Sequence, residues 1–461
     1  TIEQPQTEND EETTSTEISE NAETPTQDDL AENDEETKEN GIDEGEDKAE
    51  NVEMTSALES DIALMSVTSL SGLGTSESPY LVYTEDELIA LATGKIDNAL
   101  SAYYELQNDI IITSDTWTPI GAETAFTGVF DGKGHTVSGI SLFQSTGLSG
   151  LFGNNNGVIK NLGVDVFISN SATTIGALVG QNSGTIEKCF STGTITSTSQ
   201  YAGGLVVINT GNILECYSDT DVSGNSYVGG LIGQNNLGTI ISSYASGDIS
   251  GYEYVGGLVG RNYCGTNNAT ATIQYCHANG NINGMYSVGG LVGENCAHST
   301  YNTAVIEYSY AHGNVTGSYT VGGFVGTNKI ISSGGNPLIV YCYATGTVND
   351  GAGFGFAASN DGTIRYSYYN SINVGNKIGF AATSSNLTNQ YIYYGWDFEN
   401  IWGISNNGNY PYIKCATISP KTQINGNGSK SSPYVIENEE QLIALVNGEL
   451  PKSSGVYYEL G

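Results

Sequence analysis

Arginine is almost missing from this chain: there are two in 461 residues, Arg261 and Arg365. Lys and Arg together number 14 against 51 Asp and Glu, for a formal net charge of −37. Nucleic-acid binding without sequence preference rests on Lys and Arg neutralising phosphates, so no nucleic-acid partner is expected. Anionic membrane surfaces are disfavoured for the same reason. No apolar run approaches the ~20 residues that cross a bilayer, which argues against membrane insertion in this chain. None of the four His (135, 277, 298 and 312) begins a His-Glu-x-x-His motif, so a zinc peptidase of that kind is excluded from this stretch. No metal or other cofactor is expected. A secretory signal is also missing, and the chain opens on Thr1. That leads to the expectation of an exported, extracellular protein whose signal has been removed.

Aromatic residues are missing too, but only at the start. The first is Tyr80, and residues 1–65 hold 23 Asp and Glu against Lys38 and Lys48, a net −21. Such a segment cannot bury enough apolar surface to offset its ordering entropy. Residues 1–67 therefore read as a disordered acidic linker.

What the rest of the chain has in quantity is glycine (60 in all) and tyrosine (30). The glycines recur in a theme: Gly229-Gly230-Leu231-Ile232-Gly233, Gly256-Gly257-Leu258-Val259-Gly260, Gly289-Gly290-Leu291-Val292-Gly293 and Gly322-Gly323-Phe324-Val325-Gly326. Looser copies extend the series, with register marks at 150, 177, 204, 230, 257, 290, 323, 355 and 379. A period of 24 to 33 residues is the signature of a solenoid whose repeats bury their apolar faces against one another. Each period offers three short strand segments between Gly or Asn turns, as in Thr239–Ile249 followed by Tyr254-Val255 and the glycine motif. This predicts a three-sided all-β solenoid of stacked parallel strands. Insertions around 263–271, 296–304 and 330–337 make three periods longer and should emerge on one side as a ridge.

Two columns stand out. Cys189, Cys216, Ser243, Cys276, Ser309, Cys342 and Ser367 share one slot, with Leu162 before them, and read as a buried, inert inward ladder. The next slot holds Phe190, Tyr217, Tyr244, His277, Tyr310, Tyr343 and Tyr368. By strand alternation it should face solvent, making it the candidate binding surface. Its rings could stack on sugars or anchor a protein partner; the plainer reading is that they stack on one another. Seven Cys with irregular spacing do not make a disulfide framework. Cys264 and Cys296 lie in neighbouring insertions and are the candidate disulfide.

No catalytic residues are assigned. A glycosidase needs two carboxylates about 5–9.5 Å apart, and Glu187, Glu215, Asp248, Glu253, Glu294 and Glu307 form no evident pair. Asp131 and His135 belong to a turn, Asp-Gly-Lys-Gly-His. Thr84 followed by Glu85-Asp86-Glu87-Leu88-Ile89-Ala90-Leu91-Ala92 predicts a short helix capping the first coil, ended by Gly94. Residues 426–460 repeat 72–106 at an offset of 354: Ser78-Pro79-Tyr80 returns as Ser432-Pro433-Tyr434, and Tyr103-Tyr104-Glu105-Leu106 as Tyr457-Tyr458-Glu459-Leu460. The expected organisation is a linker (1–67), one solenoid (68–418) and the opening of a second (419–461), from a longer parent protein.

Between residues 72 and 415 the chain resembles the GLUG-motif repeat family of bacterial cell-surface proteins. The resemblance rests on the Gly-Gly-Leu-Val-Gly cores, on Phe130-Asp131-Gly132-Lys133-Gly134-His135, and on the close Gly395-Trp396-Asp397-Phe398 to Tyr410-Pro411-Tyr412. It implies a right-handed parallel β-helix at the surface of a bacterium, often in adhesin-like proteins; some relatives are IgA-directed peptidases that carry the repeats outside their catalytic part. The expected role is a non-enzymatic adhesion or display rod, with a host or neighbouring-cell surface glycan or protein as partner. A polysaccharide-active or carbohydrate-binding β-helix is the competing expectation.

Overall fold

The computed structural model describes residues 69–414 apart from 97–98, 142–146, 172–173, 266–268, 299–301, 333, 350–354, 373–377 and 405–407, together with the strands Tyr434–Ile436 and Tyr458–Leu460. The acidic linker, Cys415 and most of the second copy lie outside the described residues.

Residues 239–264 show how one coil is made. Thr239–Ile241 enters a first sheet, Tyr244–Ala245 and Ile249–Ser250 a second, Glu253–Gly256 a third and Val259–Cys264 a fourth. Strands of successive coils pair in parallel throughout, as in Thr239↔Thr272, Tyr244↔His277, Val255↔Val288 and Val259↔Val292. Among the described residues the four sheets hold 11, 15, 7 and 8 strands. The chain is thus a parallel β-solenoid, with four ladders where the sequence suggests three sides. The extra ladder arises because the glycine motif straddles a corner: Gly229 closes a third-sheet strand and Ile232 opens the fourth-sheet one.

Close approach explains these glycines. A Cβ on Gly229 would lie 2.0 Å from the Ile232 carbonyl oxygen, and one on Gly230 would lie 2.2 Å from the Gly257 carbonyl oxygen of the next coil. Leu231, Leu258, Leu291 and Phe324 fill the main core beside them. A second, smaller core runs alongside, built from Val222, Ile249, Ile282 and Val315 of the second sheet and Val228, Val255, Val288 and Val321 of the third.

A further corner uses a single left-handed residue in each coil. Lys188, Glu215, Ser242, Tyr275, Tyr308, Tyr341 and Tyr366 have φ between 49° and 56° where the chain passes from first sheet to second. The residue after each corner is the small Cys or Ser slot, and it supports the turn. The Cys216 amide donates to Ser243 Oγ at 3.0 Å, the Cys276 amide to Ser309 Oγ at 3.2 Å, and the Cys342 amide to Ser367 Oγ at 3.3 Å. A left-handed residue costs roughly 1–2 kcal/mol, an amount one net hydrogen bond of about 1 kcal/mol largely offsets.

The three insertions lengthen strands of the first and fourth sheets in register: Thr270↔Thr303↔Asn336 and Cys264↔Ala297. They form the expected ridge, with Cys264, Ala271, Ala297 and Ala304 packed as its own small core. At the start, helix α1 (Glu85–Ala92) has the predicted Thr84 cap with a full capping box, and buries Leu88, Ala90 and Leu91. The second copy opens as the first does: Tyr434↔Tyr458 repeats the pairing Tyr80↔Tyr104 at the same offset.

Candidate functional site

From Phe190 to Tyr343 the predicted aromatic column is a continuous stack. Ring centroids are 5.0 Å apart for Phe190–Tyr217, 5.1 Å for Tyr217–Tyr244, 4.8 Å for Tyr244–His277, 4.7 Å for His277–Tyr310 and 5.2 Å for Tyr310–Tyr343, with interplanar angles of 19° or less. Rings at this spacing cover each other's faces, so none remains for a sugar to stack upon.

The expectation that the column faces solvent is corrected over most of its length. Tyr217, Tyr310, Tyr343 and Tyr368 are buried, and only Phe190, Tyr244 and His277 keep partial exposure. Tyr217 is buried between the stacked rings of Phe190 and Tyr244, and the other three are sealed by the closing stretch, which folds back onto this face: Leu387, Tyr393, Trp396, Trp402 and Ile413 make one apolar cluster with Tyr310, Tyr343 and Tyr368. A small antiparallel pair, Trp402–Gly403 with Tyr412–Ile413, holds the indole in place. The Tyr343 hydroxyl donates to the Pro411 carbonyl, and the Tyr368 hydroxyl to the Ile392 carbonyl at 2.7 Å. Burial pushes His277 down to about 3, helped by His312, and pushes His312 down to about 4. Both imidazoles are neutral at pH 7.

The Cys264–Cys296 disulfide is also corrected: both are free, buried thiols. Register explains it. Tyr263 pairs with Cys296 and Cys264 with Ala297, so the two cysteines are one residue out of step and point to opposite faces. Cys264 packs in the ridge core. Cys296 lies on the other face beside Arg261, whose Nε is 2.8 Å from Glu294 Oε1 and 3.3 Å from Cys296 Sγ. Burial, then the Glu294 carboxylate, raise this thiol well above its ordinary range against the pull of Arg261. The guanidinium also lies 4.4 Å from the Tyr263 ring centroid, which completes a partnered, structural ion pair. Cys189, Cys216, Cys276 and Cys342 are buried in the inward ladder, where Sγ donates to the carbonyl two residues back.

Asp131 and His135 form no catalytic pair. Asp131 Oδ1 accepts from the Lys133 amide at 2.9 Å, with Lys133 and Gly134 both left-handed, so this is a turn. The His135 ring instead meets Asp109 at 3.2 Å.

One ladder was missed by sequence reasoning. Asn155, Asn182, Asn209, Asn235, Asn262, Asn295, Asn328 and Asn360 form a chain of side-chain amides. Each Nδ2 donates to the next Oδ1, at 2.8 Å except for 2.6 Å at the last rung. Its signal was available: an Asn stands five residues after every register mark from 150 to 355.

Among the described residues a groove of about 560 Å³ lies open across the far half of the second sheet. Its strands alternate outward polar, inward apolar, outward polar: Asp221-Val222-Ser223, Asp248-Ile249-Ser250, Asn281-Ile282-Asn283 and Asn314-Val315-Thr316. The apolar members belong to the second core, which pins the floor. Along one outward column each Oδ1 serves the following coil. Asp221 Oδ1 accepts from the Asp248 amide at 2.8 Å, Asp248 Oδ1 from the Asn281 amide at 2.8 Å, and Asn314 Oδ1 from the Thr347 amide at 3.0 Å. The Oδ2 atoms of Asp221 and Asp248 take no part in that ladder.

Comparison with known proteins gives two findings. Residues 171–196, 224–250 and 251–283 match the family model described as the GLUG motif. Among solved structures, the chain is similar to one described as "a putative immunoglobulin A1 protease from Bacteroides ovatus", at 19% identity and a TM-score of 0.41, covering 74% of this chain and 94% of that one. A search of the curated proteins found no match.

Proposed function

We propose that this chain, which carries GLUG repeats, is an extracellular bacterial surface rod that displays a binding face and is not itself an enzyme. The observation that carries this reading is how the repeated polar residues are used. The asparagine ladder, the Cys/Ser slot and the aromatic stack each run from coil to coil and bond mainly to their own neighbours. Such ladders couple each repeat to the next and stiffen a quasi-one-dimensional stack. A stiff stack of parallel coils at about 4.8 Å spacing holds one outward face at a fixed geometry over some 50 Å, which suits presentation at a distance from a cell. The partner on this reading is a glycan or protein on a host or neighbouring cell.

Beads coated with the full chain, incubated with epithelial and bacterial cells, test the reading. Attachment above that of albumin-coated beads is the expected result, with no reducing or unsaturated ends released from a polysaccharide panel. Turnover of any polysaccharide by the purified chain would replace the display role with the enzymatic one.

A further inference from the structure

We infer that the groove on the second sheet is a binding site for a neutral, polyhydroxylated glycan chain. This rests on the display reading and names the ligand class of that face. Three features carry it.

The first is repetition. Asp221, Asp248, Asn281 and Asn314 present one polar group per coil, at the parallel-strand spacing of about 4.8 Å. An extended saccharide likewise presents its hydroxyls once per ring, so one row of partners can follow several rings.

The second is donor and acceptor balance. The Oδ2 atoms of Asp221 and Asp248 are acceptors left over by the ladder; Asn281 and Asn314 Nδ2 each spend one N–H on the preceding coil, at 3.2 and 3.3 Å, and carry a second as donor, and Ser250 and Asn283 border the same floor. Sugar hydroxyls both donate and accept, and a mixed row satisfies them where a row of one kind cannot.

The third is charge. The lining holds two carboxylates and no Lys or Arg, on a chain of net −37. Uronate or sulfated chains would be repelled, and a nucleic acid more so. An extended peptide is disfavoured for another reason: the groove crosses strands already paired on both sides, such as Ile249–Ser250 between its neighbours, so no strand edge is offered for backbone pairing.

The groove was not evident from the glycine motif or the aromatic periodicity. Its column holds Asp, Asp, Asn, Asn and Thr at 221, 248, 281, 314 and 347, a change of residue type that hides the repeat.

Calorimetric titration of the full chain with cellohexaose, mannohexaose and hexa-galacturonate is the test. Saturable binding of a neutral hexasaccharide without binding of the galacturonate is expected. Asn283→Arg, which puts a long side chain across the floor, and the near-isosteric pair Asp221→Asn/Asp248→Asn should each weaken it at least tenfold at unchanged melting temperature. Failure of both neutral probes to bind, equal binding of the galacturonate, or full affinity in both variants would overturn the assignment. Bead attachment that survives both variants would remove the groove while leaving the display rod standing. Beads of the unmodified chain that fail to attach would remove the display role itself.

Discussion

The second sheet has two outer halves a few residues apart in every coil, and the chain treats them oppositely. The near half is an aromatic column, stacked from Phe190 to Tyr343, and its later members Tyr310, Tyr343 and Tyr368 are covered by residues 387–413. The far half, at Asp221, Asp248, Asn281 and Asn314, is polar and open. Both have the coil period. The difference lies in what can satisfy them: aromatic rings gain from covering one another, whereas polar side chains lose nothing by facing water. Periodicity makes a column; chemistry decides whether the molecule or a partner fills it.

Removing the cover should have the largest effect. Trp402 is fully buried among Tyr310, Tyr343 and Trp396. Trp402→Ala should cost about 3–5 kcal/mol in denaturant unfolding. It should appear first as an early transition of the closing segment, because that cluster is separate from the main core. Next comes the asparagine ladder. Asn262→Ala leaves Asn235 Nδ2 and Asn295 Oδ1 each short of a partner in the buried interior, at roughly 2–4 kcal/mol in total. A loss well under 1 kcal/mol would show that the ladder is ornamental to stability.

The covered half should also respond to pH. His277 and His312 have folded pKa values lowered to about 3 and about 4, so the unfolded chain takes up their protons first. Their contribution is complete above about pH 6.5 and is lost progressively as pH falls toward 4. The urea midpoint should therefore drop between pH 7.5 and pH 5, and His312→Asn should flatten that drop. The smallest effect belongs to the groove. Asp248→Asn should change stability by no more than about 0.5 kcal/mol, since the side chain is exposed and Asn keeps an acceptor for the Asn281 amide. A loss above 2 kcal/mol would mark this column as structural and erase the contrast between the halves.

The solenoid, its period, the Thr84-capped helix, the ridge and the duplicated opening were all legible, because each is written as spacing or as a local capping pattern. Side and partner were less so. Tyr343 and Tyr244 occupy the same slot, yet Tyr343 is sealed by Trp396 and Trp402, some fifty to sixty positions later in the chain. Nothing local to the repeat announces that contact. The Cys264–Cys296 pairing failed for a related reason: proximity in neighbouring insertions leaves a one-residue register offset undetermined, and that offset sets the face. The asparagine ladder was legible as an Asn five residues after each register mark from 150 to 355.

Tyrosine nitration read by mass spectrometry tests the central contrast most directly. The fully buried Tyr343 and the nearly buried Tyr310 should stay unmodified in the native protein, while Tyr391, 88% exposed, and Tyr319, 55% exposed, react readily. Nitration of Tyr343 at the rate of Tyr391 would show the aromatic half to be open and would contradict the division of the second sheet into a sealed half and an open one.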